Sequence, residues 1–171
     1  MAILINGSAS KFFHPGRGLR QGCALSPLLF ILVMDALSLR INRAVAQGTF
    51  KGIEIGPQLK TSHSLFVDDI LIFGMLVKAS WVAFYDIFNI FCVAAGMIIS
   101  VDKSCLYCTT GHDPKFDEVV ELFGFKKAFL EAGLTYLGFR VQALTYYVKD
   151  PEWLIHKYRK RLNSWTANFL S

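Results

Sequence analysis

Ser64-Leu65-Phe66-Val67-Asp68-Asp69-Ile70-Leu71-Ile72-Phe73 is the stretch on which the fold turns. Two apolar runs flank one pair of acids, which predicts a β-hairpin with Asp68 and Asp69 at its turn. Adjacent ionised carboxylates repel, and burying either costs free energy. A solvated Asp-Asp turn is one way out. A divalent cation is another: Mg²⁺ prefers carboxylate oxygens and keeps positions open for phosphate oxygens. Two such ions about 4 Å apart activate one oxygen nucleophile and stabilise the leaving oxygen of an in-line phosphoryl displacement. Leu-Phe-Val on one side and Ile-Leu-Ile-Phe on the other weigh toward the cation, because ordinary exposed turns are not fed by two such strands.

Upstream, Asn6-Gly7 stands between Ile3-Leu4-Ile5 and Ser10 to Phe13 and predicts a tight hairpin turn, since both residues tolerate positive φ. A Gly- and Arg-rich loop follows, His14 to Gly22. Ser26-Pro27 reads as an N-cap with proline at the first helical position. The helix runs through Leu28, Leu29, Ile31, Leu32, Ala36 and Leu39 and stops near Gln47-Gly48. About 20 residues of helix span about 30 Å, and the first half, apolar almost all round, is expected to be buried on more than one side. Gly52 to Ile55 reads as a short strand.

Downstream, a helix is expected from about Ser80 to Ala95, broken by Gly96, with a strand from Met97 to Val101. Leu134 to Val141 and Thr145 to Val148 read as a hairpin. Asp150-Pro151 repeats the cap-plus-proline pattern and opens a last helix, with an apolar stripe of Leu154, Tyr158, Leu162, Trp165 and Phe169. Lys157, Lys160 and Arg161 lie off that stripe.

The 171 residues are 53% hydrophobic and 18% charged, with a mean hydropathy of +0.40, which excludes a disordered or low-complexity chain. Eighteen Lys and Arg against thirteen Asp and Glu give +5, a charge that permits a polyanionic partner without demanding one. Cys23, Cys92, Cys105 and Cys108 are too sparse for a disulfide framework, which points to an intracellular setting, nucleus or cytoplasm. The N-terminus has neither the basic nor the apolar region of a signal peptide. Trp81 to Ile99 is the most apolar window, yet Asp86 near its middle would cost a spanning helix about 2.5–3.5 kcal/mol. Phe84, Ile87, Phe88, Phe91 and Ala95 fall on one helical stripe, so a buried helix is expected, with no stable membrane association. Cys105-Leu-Tyr-Cys108 with His112 falls short of four zinc ligands, because only the distant His156 follows.

Phe66-Val67-Asp68-Asp69 resembles the aromatic-X-Asp-Asp box of reverse transcriptases, and His63 to Asp69 is similar to the form found in non-LTR, LINE-like retrotransposons of plants. Other boxes follow in that family's order. Arg17-Gly18-Leu19-Arg20-Gln21-Gly22-Cys23-Ala24-Leu25-Ser26-Pro27-Leu28-Leu29-Phe30 is similar to the Arg-Gln-Gly…Leu-Ser-Pro…Leu-Phe box. Ala95 to Ser104 resembles the Ser-Gly-Leu…Asn…Lys-Ser segment. Tyr136-Leu137-Gly138-Phe139 resembles the primer-grip box, and Trp153 to Ser171 the first thumb helix. The resemblance implies an α+β polymerase palm, with a mostly antiparallel sheet packed on two long helices, over residues 1–150 together with part of the fingers. The start of a helical thumb would occupy 151–171. It also implies RNA-directed DNA polymerase activity: a primer 3′-hydroxyl is extended with deoxynucleotides on an RNA template. Asp68 and Asp69 would hold Mg²⁺, two ions in the intact enzyme, and Lys103 would neutralise or protonate the pyrophosphate. Arg20, Gln21 and Gly22 would line the nucleotide pocket, Tyr136, Leu137 and Gly138 would hold the primer end, and Lys157, Lys160 and Arg161 would follow the nucleic-acid backbone. The partners implied are RNA template, DNA primer and deoxynucleoside triphosphates.

The family's site uses a further Asp from a strand ahead of the Arg-Gln-Gly box. No Asp precedes Asp35, which lies in a helical pattern. The chain is therefore expected to be a fragment or a decayed copy that needs an upstream half and is inactive alone. It is also expected to be poorly soluble. Val67 stands where a small residue is usual, Ala24 where Pro is, and Ala95 and Ser100 replace Ser and Asn. Two other readings compete: a non-catalytic nucleic-acid-binding remnant of a retroelement, and a small membrane-associated protein built around Trp81 to Ile99.

Overall fold

The computed structural model describes residues 2–14, 16, 18–19, 22–56, 59–109, 111, 113–141 and 152–169. Two compact units divide the chain: Met1–Leu106 with His112–Lys126, and Tyr107–Gly111 with Lys127–Ser171.

In the first unit Asn6 and Gly7 have φ of 49° and 84° and join β1 (Leu4–Ile5) to β2 (Ser8–Ala9), as the Asn-Gly pair requires. The return strand is only two residues long, and Ser10 to Phe13 stay outside it. Helix α1 spans Ser26–Ala46 and ends at Gln47-Gly48 as expected. Its start differs. Leu25 is the N-cap, and Ser26 is already helical. The first amides are served by Cys23 instead: the Ser26 N–H donates to its carbonyl oxygen at 3.1 Å, and the Leu25 N–H, then the Ser26 hydroxyl, hold the thiol below its ordinary range.

One face of α1 is the spine of the core. Met34, Leu37, Ile41 and Ala44 recur at helical spacing and are buried. The expected burial on several sides does not occur: Leu28, Ile31, Leu32 and Leu39 are all more than half exposed. Seen down the helix, Leu25, Leu28, Leu32 and Leu39 lie opposite the buried stripe, so α1 carries two apolar faces and covers one.

Helix α2, Lys78–Ala95, packs on the spine. Trp81 and Phe84 are buried, and Ile87, Phe88 and Phe91 close over the same cluster, the stripe read from the sequence. Gly96 stops the helix with φ of 67°. Of the described helices α2 alone is long and apolar enough to cross a membrane; 22% of that window is buried, the stripe on the core included. Phe50 fills the space between the two helices, edge-on to Trp81 at 5.7 Å and 5.3 Å from Phe84. Fully burying Leu37, Ile41 and Phe50 contributes about 1.5–3 kcal/mol each. Gly74 passes so close that a Cβ there would stand 2.9 Å from the Trp81 ring, and Trp81 donates its indole N–H to Met75 O at 3.0 Å.

Among the described residues the strands form five separate two-stranded ladders, where a larger palm sheet was expected. β3 (Ile53–Ile55) pairs antiparallel with β4 (Leu59–Thr61), and β5 (His63–Phe66) with β6 (Asp69–Ile72). Leu65, Ile70 and Ile72 of the β5–β6 hairpin rest on the core cluster. Met97–Ser100 is not a strand: no partner runs beside it among the described residues, and the chain goes on into a 3-10 turn, Val101–Lys103. β7 (Cys105–Cys108) pairs with β8 (Lys126–Phe129). Between them α3 (Pro114–Phe123) repeats the cap-plus-proline pattern, with the Asp113 carboxylate accepting from Lys115 N–H at 2.9 Å. Its Phe116 and Val119 join the core. In the second unit β9 (Leu134–Tyr136) and β10 (Phe139–Val141) pair with each other, so a hairpin lies inside Leu134 to Val141, the stretch expected to be one arm of a hairpin with Thr145 to Val148, and α4 spans Glu152–Phe169. Thr145 to Val148 and Asp150-Pro151 lie outside the described residues, as do the side chains of Leu154, Trp165 and Phe169. Tyr158 and Leu162 are about 60% exposed, so their part of the apolar stripe is uncovered.

The hairpin is pinned to α1 through His63. Its Nε2 meets Ser38 Oγ at 2.8 Å and its Nδ1 meets the buried Ser62 Oγ at 2.9 Å. Burial lowers the imidazole pKa below its ordinary 6.5. In the neutral ring one nitrogen donates and the other accepts, so protonation forces one serine hydroxyl to turn round. The unfolded chain then takes up the proton more readily than the folded one. Stability is full above pH 6.5 and declines as pH falls from there through the folded-state pKa. Thermal melts between pH 8 and pH 5 should show that decline, and His63→Gln should flatten the part of the profile that begins near pH 6.5. An unchanged profile in the variant would remove His63 as the cause.

Candidate functional site

The acids sit where a two-residue connection closes β5 onto β6. Phe66 pairs with Asp69, so Val67 and Asp68 are the central residues of the turn and Asp69 is the first residue of β6. The pair is therefore split between turn and strand, a correction to the reading that put both in the turn. Both are exposed, as are Phe66 and Val67, while Leu65 and Ile70 face inward.

Val67 carries the strain of this turn, at φ 52°. Tight two-residue hairpin turns require positive φ at the first central residue. At Asn6-Gly7 and at Leu137-Gly138 both central residues are positive and glycine takes the second place, the pattern of a type I′ turn. At Val67-Asp68 only the first is positive, and it is β-branched, the side chain least suited to that region. Such a position costs about 1–3 kcal/mol and is over-represented at functional sites.

No basic side chain among the described residues pairs with Asp68 or Asp69; ion pairs such as Lys60–Glu54 and Lys78–Glu118 lie elsewhere on the surface. Two adjacent, uncompensated carboxylates offer oxygen-only donors in water, and that donor set fits a hard divalent cation. It does not close a coordination sphere: among the described residues no third His, Cys, Asp or Glu joins the pair.

The remaining candidate residues divide into two groups. Arg20 and Gln21 lie outside the described residues. Gly22 is exposed, with φ of 77° and open space where a Cβ would stand, so the backbone there is accessible to a ligand. Lys103 is exposed at the end of the Val101–Lys103 turn, and neither it nor Gly22 is hydrogen-bonded to the acids. In the second unit Leu137 and Gly138, at φ 51° and 82°, form the β9–β10 turn. Lys157 Nζ stands 3.5 Å from where a Gly138 Cβ would be, so the turn and the first cation of α4 come together. Lys157, Lys160 and Arg161 are exposed and share a side of α4 by their spacing. The Tyr136 hydroxyl is buried with no hydrogen-bond partner.

Sequence reasoning passed over three features of this region. His63 entered only as part of a box, although a lone imidazole between Ser62 and Ser64 was a signal for a hydroxyl-bonded ring. Cys23 was counted but not placed at the head of α1. Val67 was weighed for bulk, whereas its backbone angle is what sets it apart. Replacing it separates the two: Val67→Gly removes an exposed side chain and relieves the positive φ, so the variant should gain about 1 kcal/mol and melt about 2–4 °C higher. A lower melting temperature would show that the side chain, not the backbone, matters.

The family described as reverse transcriptase (RNA-dependent DNA polymerase) matches residues 2–141, most of the chain. An uncharacterized mitochondrial protein of Arabidopsis thaliana is 43% identical over 70 residues, 40% of this chain and 57% of that protein. The retrovirus-related Pol polyprotein from the type-2 retrotransposable element R2DM of Drosophila melanogaster is 37% identical over 69 residues, 40% of this chain and 6% of the polyprotein. The chain thus spans little over half of one curated relative and a small part of the other. The ordered boxes, the hairpin that carries the acids and the family match agree: this chain belongs to the reverse transcriptase family, in the company of retrotransposable-element polymerases.

Proposed function

We propose that the chain supplies the metal-holding palm and the start of the thumb of an RNA-directed DNA polymerase, acting inside the cell. The observation that carries this reading is the pair Asp68 and Asp69, unpaired and exposed at a strained turn, in a chain of this family. Asp68 and Asp69 hold divalent cations with oxygen-only ligands. Bound Mg²⁺ supplies charge neutralisation and a more acidic hydroxyl at the reacting centre. A primer 3′-hydroxyl attacks the α-phosphorus of a deoxynucleotide, one phosphodiester forms, and pyrophosphate leaves. Lys103 gives its proton to the leaving pyrophosphate. Arg20, Gln21 and the open backbone at Gly22 border the nucleotide. Tyr136, Leu137 and Gly138 hold the primer end, and Lys157, Lys160 and Arg161 track phosphates without reading bases.

Two carboxylates leave a metal pair short of ligands, and no third joins them among the described residues. The working site therefore takes a further carboxylate from an upstream polymerase segment, and the chain alone does not polymerise. RNA-templated primer extension with Mg²⁺ tests this. Activity should appear only when the upstream segment is supplied, and Asp68→Asn should lower it by at least about 100-fold, the consequence of losing several kcal/mol of charge stabilisation. Extension that survives Asp68→Asn and Asp69→Asn would end the polymerase reading. Salt-dependent retention on an RNA–DNA hybrid with no extension under any condition would leave the nucleic-acid-binding remnant in its place.

A further inference from the structure

A cavity of about 200 Å³ opens in the first unit, away from the acids' hairpin in sequence and lined by none of its residues. Three elements build it. The middle of α2 contributes Tyr85, Phe88 and Asn89, the segment before and into the 3-10 turn contributes Ile99 and Val101, and the end of α3 with the residue beyond Gly124 contributes Phe123 and Phe125. Gly124, at φ 66°, turns the chain so that the Phe125 ring comes to 5.4 Å from Phe123. Tyr85 stands edge-on to Phe123 at 5.3 Å. Four of the seven lining residues are thus aromatic, and one, Asn89, is an amide. Asn89 and Val101 are exposed, so the cavity is open to solvent on their side. Lys126, next in the chain to Phe125, donates to Asp102 O at 2.6 Å and ties the two loops of the rim together.

We propose that this cavity receives one unpaired base of a single-stranded segment of the nucleic acid. Its volume lies below the range of about 300–1,000 Å³ that holds drug-sized ligands, so it admits a flat ring system and not a nucleoside triphosphate. Ring walls are the surface on which splayed-out bases stack, and a side-chain amide is the group that reads a base edge by donating and accepting at once. Lys126 follows the lining residue Phe125 in the chain and puts a positive charge at the rim, where a phosphate of the strand would pass. The inference rests on the nucleic-acid reading above, but its ligand is distinct from primer, template duplex and incoming nucleotide.

Saturation-transfer NMR on the full chain tests it with three probes: adenosine, cytidine and toluene. Signal should transfer to the base protons of a nucleoside. Asn89→Leu, which keeps the cavity apolar, should weaken nucleoside binding about tenfold and leave toluene unchanged, and Gly124→Ala, strained at its φ, should weaken both. A short single-stranded RNA should compete with the nucleoside. Toluene binding without nucleoside binding would identify a pocket for an apolar side chain and overturn the proposal, as would no binding of any probe. Hybrid retention by Asn89→Leu, and its primer extension with the upstream segment supplied, separate the two readings: both unchanged with nucleoside binding lost leaves the polymerase assignment standing on its own.

Discussion

Repulsion between two neighbouring carboxylates is the constraint around which this chain is arranged. Asp68 and Asp69 cannot be buried, and they cannot both ionise in a dry interior, so the hairpin carries them into water. The turn that does so holds Val67 at positive φ, a strained position for a β-branched residue. Everything beneath the turn is stiff. Leu65, Ile70 and Ile72 rest on the α1–α2 core, and His63 locks the strand to Ser38 of α1. The charge is exposed, and the support is not.

That support explains how a marginal two-stranded hairpin holds its geometry. A hairpin alone is barely stable in water. Here its inward side chains share one cluster with Phe50, Trp81 and Phe84, while Ser62 O accepts from Phe73 N–H at 2.8 Å and continues the ladder beyond His63. The same economy leaves other surfaces uncovered. α1 presents Leu28, Leu32 and Leu39 to water opposite its buried stripe, and α4 presents Tyr158 and Leu162.

Much of this was legible in the residues. Helix ends were marked by Pro27, Gly48 and Gly96, the first hairpin by Asn6-Gly7, and the acids' hairpin by apolar runs on both sides. α3 was equally legible and was overlooked: Asp113-Pro114 has the cap-plus-proline form of Ser26-Pro27, and Phe116, Val119 and Phe123 share a face before Gly124. Met97 to Val101 misled because β-branched residues favour strands only where a neighbour offers hydrogen bonds. The two-faced α1 misled for a related reason: apolarity records what a helix is suited to touch, not whether that surface is present. Of the site, the acids could be read directly, whereas the Leu137-Gly138 turn fell inside Leu134 to Val141, a stretch read as a single arm of a hairpin. The strain at Val67, the two serines on His63 and the approach of Lys157 to Gly138 depend on tertiary placement that no local pattern encodes.

The most direct measurement of the account is a Mn²⁺ titration followed by backbone amide relaxation. Asp68 and Asp69 amides should broaden first and saturably, and the effect should vanish in the Asp68→Asn/Asp69→Asn double variant. Broadening spread evenly over the exposed acids, Asp35, Asp86 and Asp102 included, would show that this turn holds no metal in preference to any other carboxylate, and would contradict the account.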